Sequence, residues 1–192
     1  MRLYAGFSPN RSFVLTFSPR KLLYIKMKDM KQNIEITAAD LAFLAKASEA
    51  SMKSVENGGG PFGAVVVKDG EVIAVTSNSV TLDNDPTAHA EVNAIRMACK
   101  KLGTFKLNGC VVYSSCEPCP MCLSALYWAG VDRIYYGNTK EDADAIDFSD
   151  KFIYEELDRP KSERSIPCIH IPNTDAILAF RAWQAKEDKT EY

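Results

Sequence analysis

Between residues 63 and 137 the chain alternates between two hydrophobic periods, and that alternation confines it to layered helix-and-sheet folds. GAVVVK and EVIAVTS are β-rich runs flanking Asp69-Gly70, a dipeptide suited to a type I′ turn, so residues 63–77 are expected to form a hairpin. After a polar loop from Asn78 to Thr87, Val92, Ile95, Cys99 and Leu102 recur at helical spacing up to Gly103. A strand is expected over CVVYSS (110–115), then a helix over MCLSALYWAG with Pro120 in its first turn and Gly130 as its stop, then a strand over VDRIYYG. Strands interleaved with helices predict parallel pairing through crossovers and a three-layer α/β/α domain.

Upstream, Thr37 can cap a helix with Asp40 three residues on, and Leu41, Leu44, Ala45, Ser48, Met52 and Val55 trace one face to about Glu56. Beyond Gly137 the pattern weakens into acidic helical pieces (140–158), a short β-like run Cys168-Ile169-His170-Ile171, and a last helix near 175–186. Residues 1–32 read as a basic, disordered N-terminal extension, either an organellar leader or a stretch ahead of a start at Met27 or Met30, with the domain over 33–192.

Charge narrows the ligand. Residues 1–31 carry seven Lys/Arg against Asp29 alone, which leaves 16 basic and 24 acidic residues over 32–192, a net −8. An acidic body repels phosphate backbones, so nucleic acid is not the expected partner and a small, weakly charged ligand is. No apolar run reaches the ~20 residues of a membrane helix, so no membrane span is expected.

Of six cysteines, Cys116, Cys119 and Cys122 fall within seven residues, whereas Cys99, Cys110 and Cys168 are scattered through apolar segments and read, with Cys116, as core. Cys119 and Cys122 offer two thiols one turn apart at the start of a helix, where unpaired N–H groups and the dipole favour thiolate. His89 and Glu91, in His-Ala-Glu, open the preceding helix, and first-turn side chains lean back toward the space beyond its end. Two thiolates and one neutral imidazole match a catalytic Zn2+ site, three protein ligands with a fourth position open to water. Such an ion makes hydroxide available near neutral pH. His170, the other histidine, sits in the β-like run and reads as structural.

His89-Ala90-Glu91 with Pro118-Cys119-Pro120-Met121-Cys122 matches the H-x-E…P-C-x-x-C pattern of zinc deaminases. Residues 59–137 resemble the cytidine deaminase superfamily, and about 37–192 resembles its bacterial guanine deaminases, through GGPFGAVVVKDG, NDPTAHAEVNAIR, SSCEPCPMCLSALYWA and FIYEELDRP. The resemblance implies a cytidine deaminase-like fold with a central mixed sheet, Zn2+ on His89, Cys119 and Cys122, and Glu91 as proton shuttle. It also implies Asp150 as a second carboxylate that holds or protonates a purine, with substrate contacts at Asn78, Phe62, Ala90, Trp128 and Tyr192. Trp128 could instead be helix packing. Further implications are hydrolysis of guanine to xanthine and ammonia in the cytoplasm, and a homodimer in which swapped C-terminal segments bring Tyr192 to the partner's site. Guanosine, cytosine or another aminated ring is the alternative substrate, because pocket walls choose it and the metal motif does not. Two other classes fit the same cysteines: a closed structural zinc module taking its fourth ligand from Cys116, Cys168 or His170, and a thiol oxidoreductase.

Overall fold

The computed structural model describes residues 35–191. The expected calls on the N-terminal extension and on Tyr192 lie outside those residues. One compact unit begins at Thr37, where Thr37 and Asp40 close a reciprocal capping box at the head of helix α1 (Ala38–Glu56). The buried side of α1 matches the expected one only at Leu44. Leu41, Met52 and Val55 are exposed, and the helix packs through Phe43, Leu44, Ala47, Ala50 and Ser54. Close approach decides this: a Cβ on Gly63 would collide with the Ala47 carbonyl, so only small residues fit where helix and sheet backbones meet.

Strands β1 (Gly63–Lys68) and β2 (Glu71–Ser77) form the expected hairpin, with φ 51° at Asp69 and 80° at Gly70 as a type I′ turn demands. The polar loop that follows contains one short helix, α2 (Val80–Asp83). Helix α3 (Ala90–Leu102) leads to β3 (Cys110–Cys116), and α4 (Pro120–Ala129) leads to β4 (Arg133–Asn138). The sheet order is β2-β1-β3-β4. Only β3 and β4 pair in parallel; β1 pairs antiparallel with both β2 and β3. The expected hairpin supplies one antiparallel pair and the expected crossover one parallel pair, so the sheet is mixed, as the resemblance implies. The α3 crossover does deliver β3 in the direction of β2, but it carries it past β2 to the far side of β1.

Alternation within the strands separates two cores. Ala64, Val66 and Val112 face Ala90, Ala94 and Ala98 of α3 and Leu126 and Ala129 of α4. Val65, Val67 and Tyr113 face α1. The result is the three-layer α/β/α, mixed-sheet domain read from the sequence.

Past β4 the chain forms α5 (Lys140–Asp144), α6 (Lys151–Asp158), a 3-10 turn (Lys161–Glu163) and α7 (Ala176–Ala185). The helices fall where expected. Residues 168–171 do not form a strand: they are irregular and exposed, and among the described residues no strand pairs with them. Cys168 and His170 are accordingly on the surface, not in a core. All six cysteines are free thiols, and among the described residues no helix is long and apolar enough to cross a membrane.

Candidate active site

The ends of α3 and α4 meet at the edge of the sheet, and local sequence fixes how each begins. Asp85 turns the chain before α3 by accepting the Thr87 N–H (2.8 Å) and hydroxyl (2.7 Å) on one carboxylate oxygen. Asn93 ties the helix to the end of β2 by donating to the Ser77 carbonyl (3.1 Å) and Ser79 Oγ (3.0 Å). His89 is left at the N-cap, in extended backbone (φ −69°, ψ 153°). Cys119 occupies the same position on α4 (φ −62°, ψ 168°), with Pro120 preset for the first helical residue and Cys122 one turn in.

This brings three ligand atoms together. His89 Nδ1 lies 3.6 Å from Cys119 Sγ and 3.5 Å from Cys122 Sγ, and all three atoms lie within 4.8 Å of one another. Tetrahedral zinc, with Zn–N near 2.0 Å and Zn–S near 2.3 Å, requires an N···S separation of about 3.6 Å. The residues fit the ion. The group supplies three donors, the number of protein ligands that catalytic zinc sites carry. The three groups share protons: bonds from Cys122 and His89 pull the Cys119 thiol down to about 4, while the bonds to Cys119 raise the His89 imidazole and the Cys122 thiol.

Glu91, two residues past His89, is buried and accepts a hydrogen bond from Ser114 Oγ at 3.1 Å. Burial raises its carboxyl, so it can hold a proton as well as release one. A cavity of about 470 Å3 opens above this group. Its walls include His89, Glu91, Cys119, Phe62, Asn78 and Asp150. Asp150, at the N-cap of α6, is half-buried and its carboxyl is raised by burial. Phe62 meets Phe148 edge to face, with ring centroids 5.1 Å apart.

A model of the cytidine and deoxycytidylate deaminase zinc-binding region matches residues 37–138. The chain belongs to that deaminase family. This deaminase is 50% identical to the guanine deaminase of Bacillus subtilis over 151 residues, 78% of this chain and 97% of that one. The crystal structure of a Bacillus subtilis guanine deaminase superposes with a TM-score of 0.78 at 48% identity, covering 82% of this chain and 99% of that one. The tRNA-specific adenosine deaminase of Aquifex aeolicus is 43% identical, but over 49% of this chain and 62% of that one.

Two expected substrate contacts stand apart from the cavity. Ala90 is wholly buried in the core, and Trp128 is 65% exposed at the end of α4. Cys116 lines the cavity as a buried thiol raised to about 11, donating to the Thr139 carbonyl at 3.5 Å rather than joining the ligand group. The sequence reading of the deaminase passed over Ser114 and Phe148. A serine inside the apolar run CVVYSS, and a lone aromatic two residues before Asp150 in an acidic stretch, were the available signals.

Proposed function

We propose that this deaminase hydrolyses guanine to xanthine and ammonia, in cytoplasmic purine breakdown, at a zinc ion held by His89, Cys119 and Cys122. The observation that carries the substrate is the 50% identity running over 97% of the Bacillus subtilis guanine deaminase, against 62% coverage of the tRNA-specific enzyme. The net −8 of residues 32–192 also argues against a polynucleotide.

Zinc at this triad supplies the water-activating, Lewis-acid chemistry that hydrolysis of a ring amine requires. The chain's own residues do the rest. Glu91, with one oxygen held by Ser114 Oγ, accepts one proton of the attacking water and passes it to the ring nitrogen beside the reacting carbon, then moves the proton of the added hydroxyl to the amine, so that the C–N bond breaks and ammonia leaves as the carbonyl forms. Water adds its oxygen at that carbon and ammonia departs, so no redox partner is needed. Phe62 offers a face for the planar base, Asn78 an amide for its polar edge, and Asp150 a carboxyl for a ring N–H or nitrogen.

The reading extends to a homodimer with exchanged C-terminal segments, Tyr192 closing the partner's cavity. Its support is the apolar surface of residues 139–191, where Ile169, Phe180, Phe152 and Trp183 are 83%, 75%, 62% and 44% exposed. Zinc-loaded protein incubated with guanine, guanosine, cytosine and adenine, with ammonia measured, tests the function. Guanine is expected to be fastest; faster release from guanosine overturns the substrate assignment.

A further inference from the structure

Asn78 is held from three directions. Its N–H donates to the Phe62 carbonyl at 3.0 Å, and its side-chain Oδ1 accepts the Val80 N–H at 3.2 Å. From behind, its carbonyl accepts the hydroxyl of Ser54 at 3.0 Å. Ser54 is 4% exposed, lies in the last turn of α1, and is remote in sequence from both metal-bearing helices. Its own carbonyl accepts the Gly59 N–H at 2.8 Å. The glycine turn between them has no room to spare: a Cβ on Gly59 would sit 2.5 Å from Ser54 Oγ and 2.6 Å from the Asn78 carbonyl, and one on Gly60 would sit 3.1 Å from Asn78 Cγ. Gly59, Gly60 and Asn78 all line the cavity, whereas Ser54 does not.

These bonds decide which way the Asn78 amide points. A backbone N–H only donates, so the atom facing Val80 is the oxygen. The NH2 group is what remains. It has no protein partner among the described residues, and since no buried side-chain polar atom there lacks one, it reaches the open cavity.

We propose that Ser54 is a positioning residue for substrate recognition: anchoring the Asn78 carbonyl, it presents the Asn78 amide hydrogens to the cavity, so the ring is recognised through a hydrogen-bond acceptor. This rests on the reading of the cavity as the guanine site, where the O6 and N7 edge supplies acceptors. A double-mutant cycle of Ser54→Ala and Asn78→Ala, followed by ammonia release from guanine, tests it. Ser54→Ala is expected to raise KM about 2–10-fold with kcat within about twofold, the range set by one neutral hydrogen bond. In the Asn78→Ala background the same change adds less than about twofold, because the group it positions is gone. Amide hydrogen exchange at Asn78 is expected to speed up in Ser54→Ala without any substrate present. A wild-type KM in Ser54→Ala, an equal KM factor in both backgrounds, or unchanged exchange at Asn78 each overturns the proposal. Absence of ammonia from guanine with the wild-type enzyme instead removes the guanine reading, and the exchange measurement still decides the Ser54 anchor.

Discussion

Residues 37–138 and residues 139–191 are built on opposite plans. The first stretch carries two buried cores on the faces of one sheet, and the His89, Cys119 and Cys122 group lies in it. The second has no fully buried residue, although Phe148, Phe152, Ile166, Ile169, Phe180 and Trp183 are among its side chains. Yet it supplies one wall of the cavity through Lys140, Ala143, Phe148, Asp150 and Ile153. The groups proposed to react sit on or beside elements packed into those cores, while the opposite wall of the cavity is made of short helices that bury little. Precise placement of hydroxide and proton donors needs the first plan; letting a base in and out tolerates the second.

Breaking the division at the reacting groups gives the largest effect. Glu91→Gln is expected to lower turnover by on the order of 10²–10⁴-fold while zinc content and melting temperature stay at wild-type values, checked by ammonia release, metal analysis and calorimetry. A variant that loses its metal with its activity would place Glu91 among the ligands instead. Truncation after Asn173 attacks the other side: kcat/KM falls on the order of tenfold and sedimentation shifts to a smaller species, with the melting of the sheet domain nearly unmoved. An equally large fall in melting temperature would erase the distinction.

Stability measurements sharpen the same contrast. Gly63→Ala, which drives a Cβ into the Ala47 carbonyl, is expected to cost about 2–4 kcal/mol by denaturant unfolding, whereas Leu157→Ala in the exposed region costs no more than about 0.5 kcal/mol. The smallest effect is in acid. Tyr113 donates to Asp40 Oδ1 at 2.6 Å, and this bond with those from Thr37 holds the Asp40 carboxyl below its usual range. The stabilisation is complete above the ordinary carboxylate value and disappears as pH drops through the lowered one. Asp40→Asn is expected to flatten that part of the acid-unfolding curve by lowering stability slightly at neutral pH, where the carboxylate contributes, and leaving it nearly unchanged in strong acid.

The sequence displays some of this well and some poorly, for physical reasons. The hairpin was legible because Asp69-Gly70 must adopt positive φ, and the clustering of His89, Cys119 and Cys122 because each stands at or one turn from a helix start after a strand or loop. The wrong face of α1 came from counting large apolar residues. Helix-to-sheet contact here is made by Ala47, Ala50 and Gly63, whose small size is invisible to a hydrophobic count. The strand read at Cys168-Ile169-His170-Ile171 reflects real β propensity without a neighbour to pair with. Ser54 and Ser114 each act through one hydrogen bond across a long stretch of chain, and no local pattern announces such a bond.

His89 belongs to one helix and Cys119 and Cys122 to another, and those two helices already share Ala94, Ala98, Leu126 and Ala129 in a single core. The scaffold can therefore assemble before any cation arrives, so metallation becomes a loading step on a finished protein rather than a condition of folding. Chelation should silence this enzyme without unravelling it, and resupply should restore it.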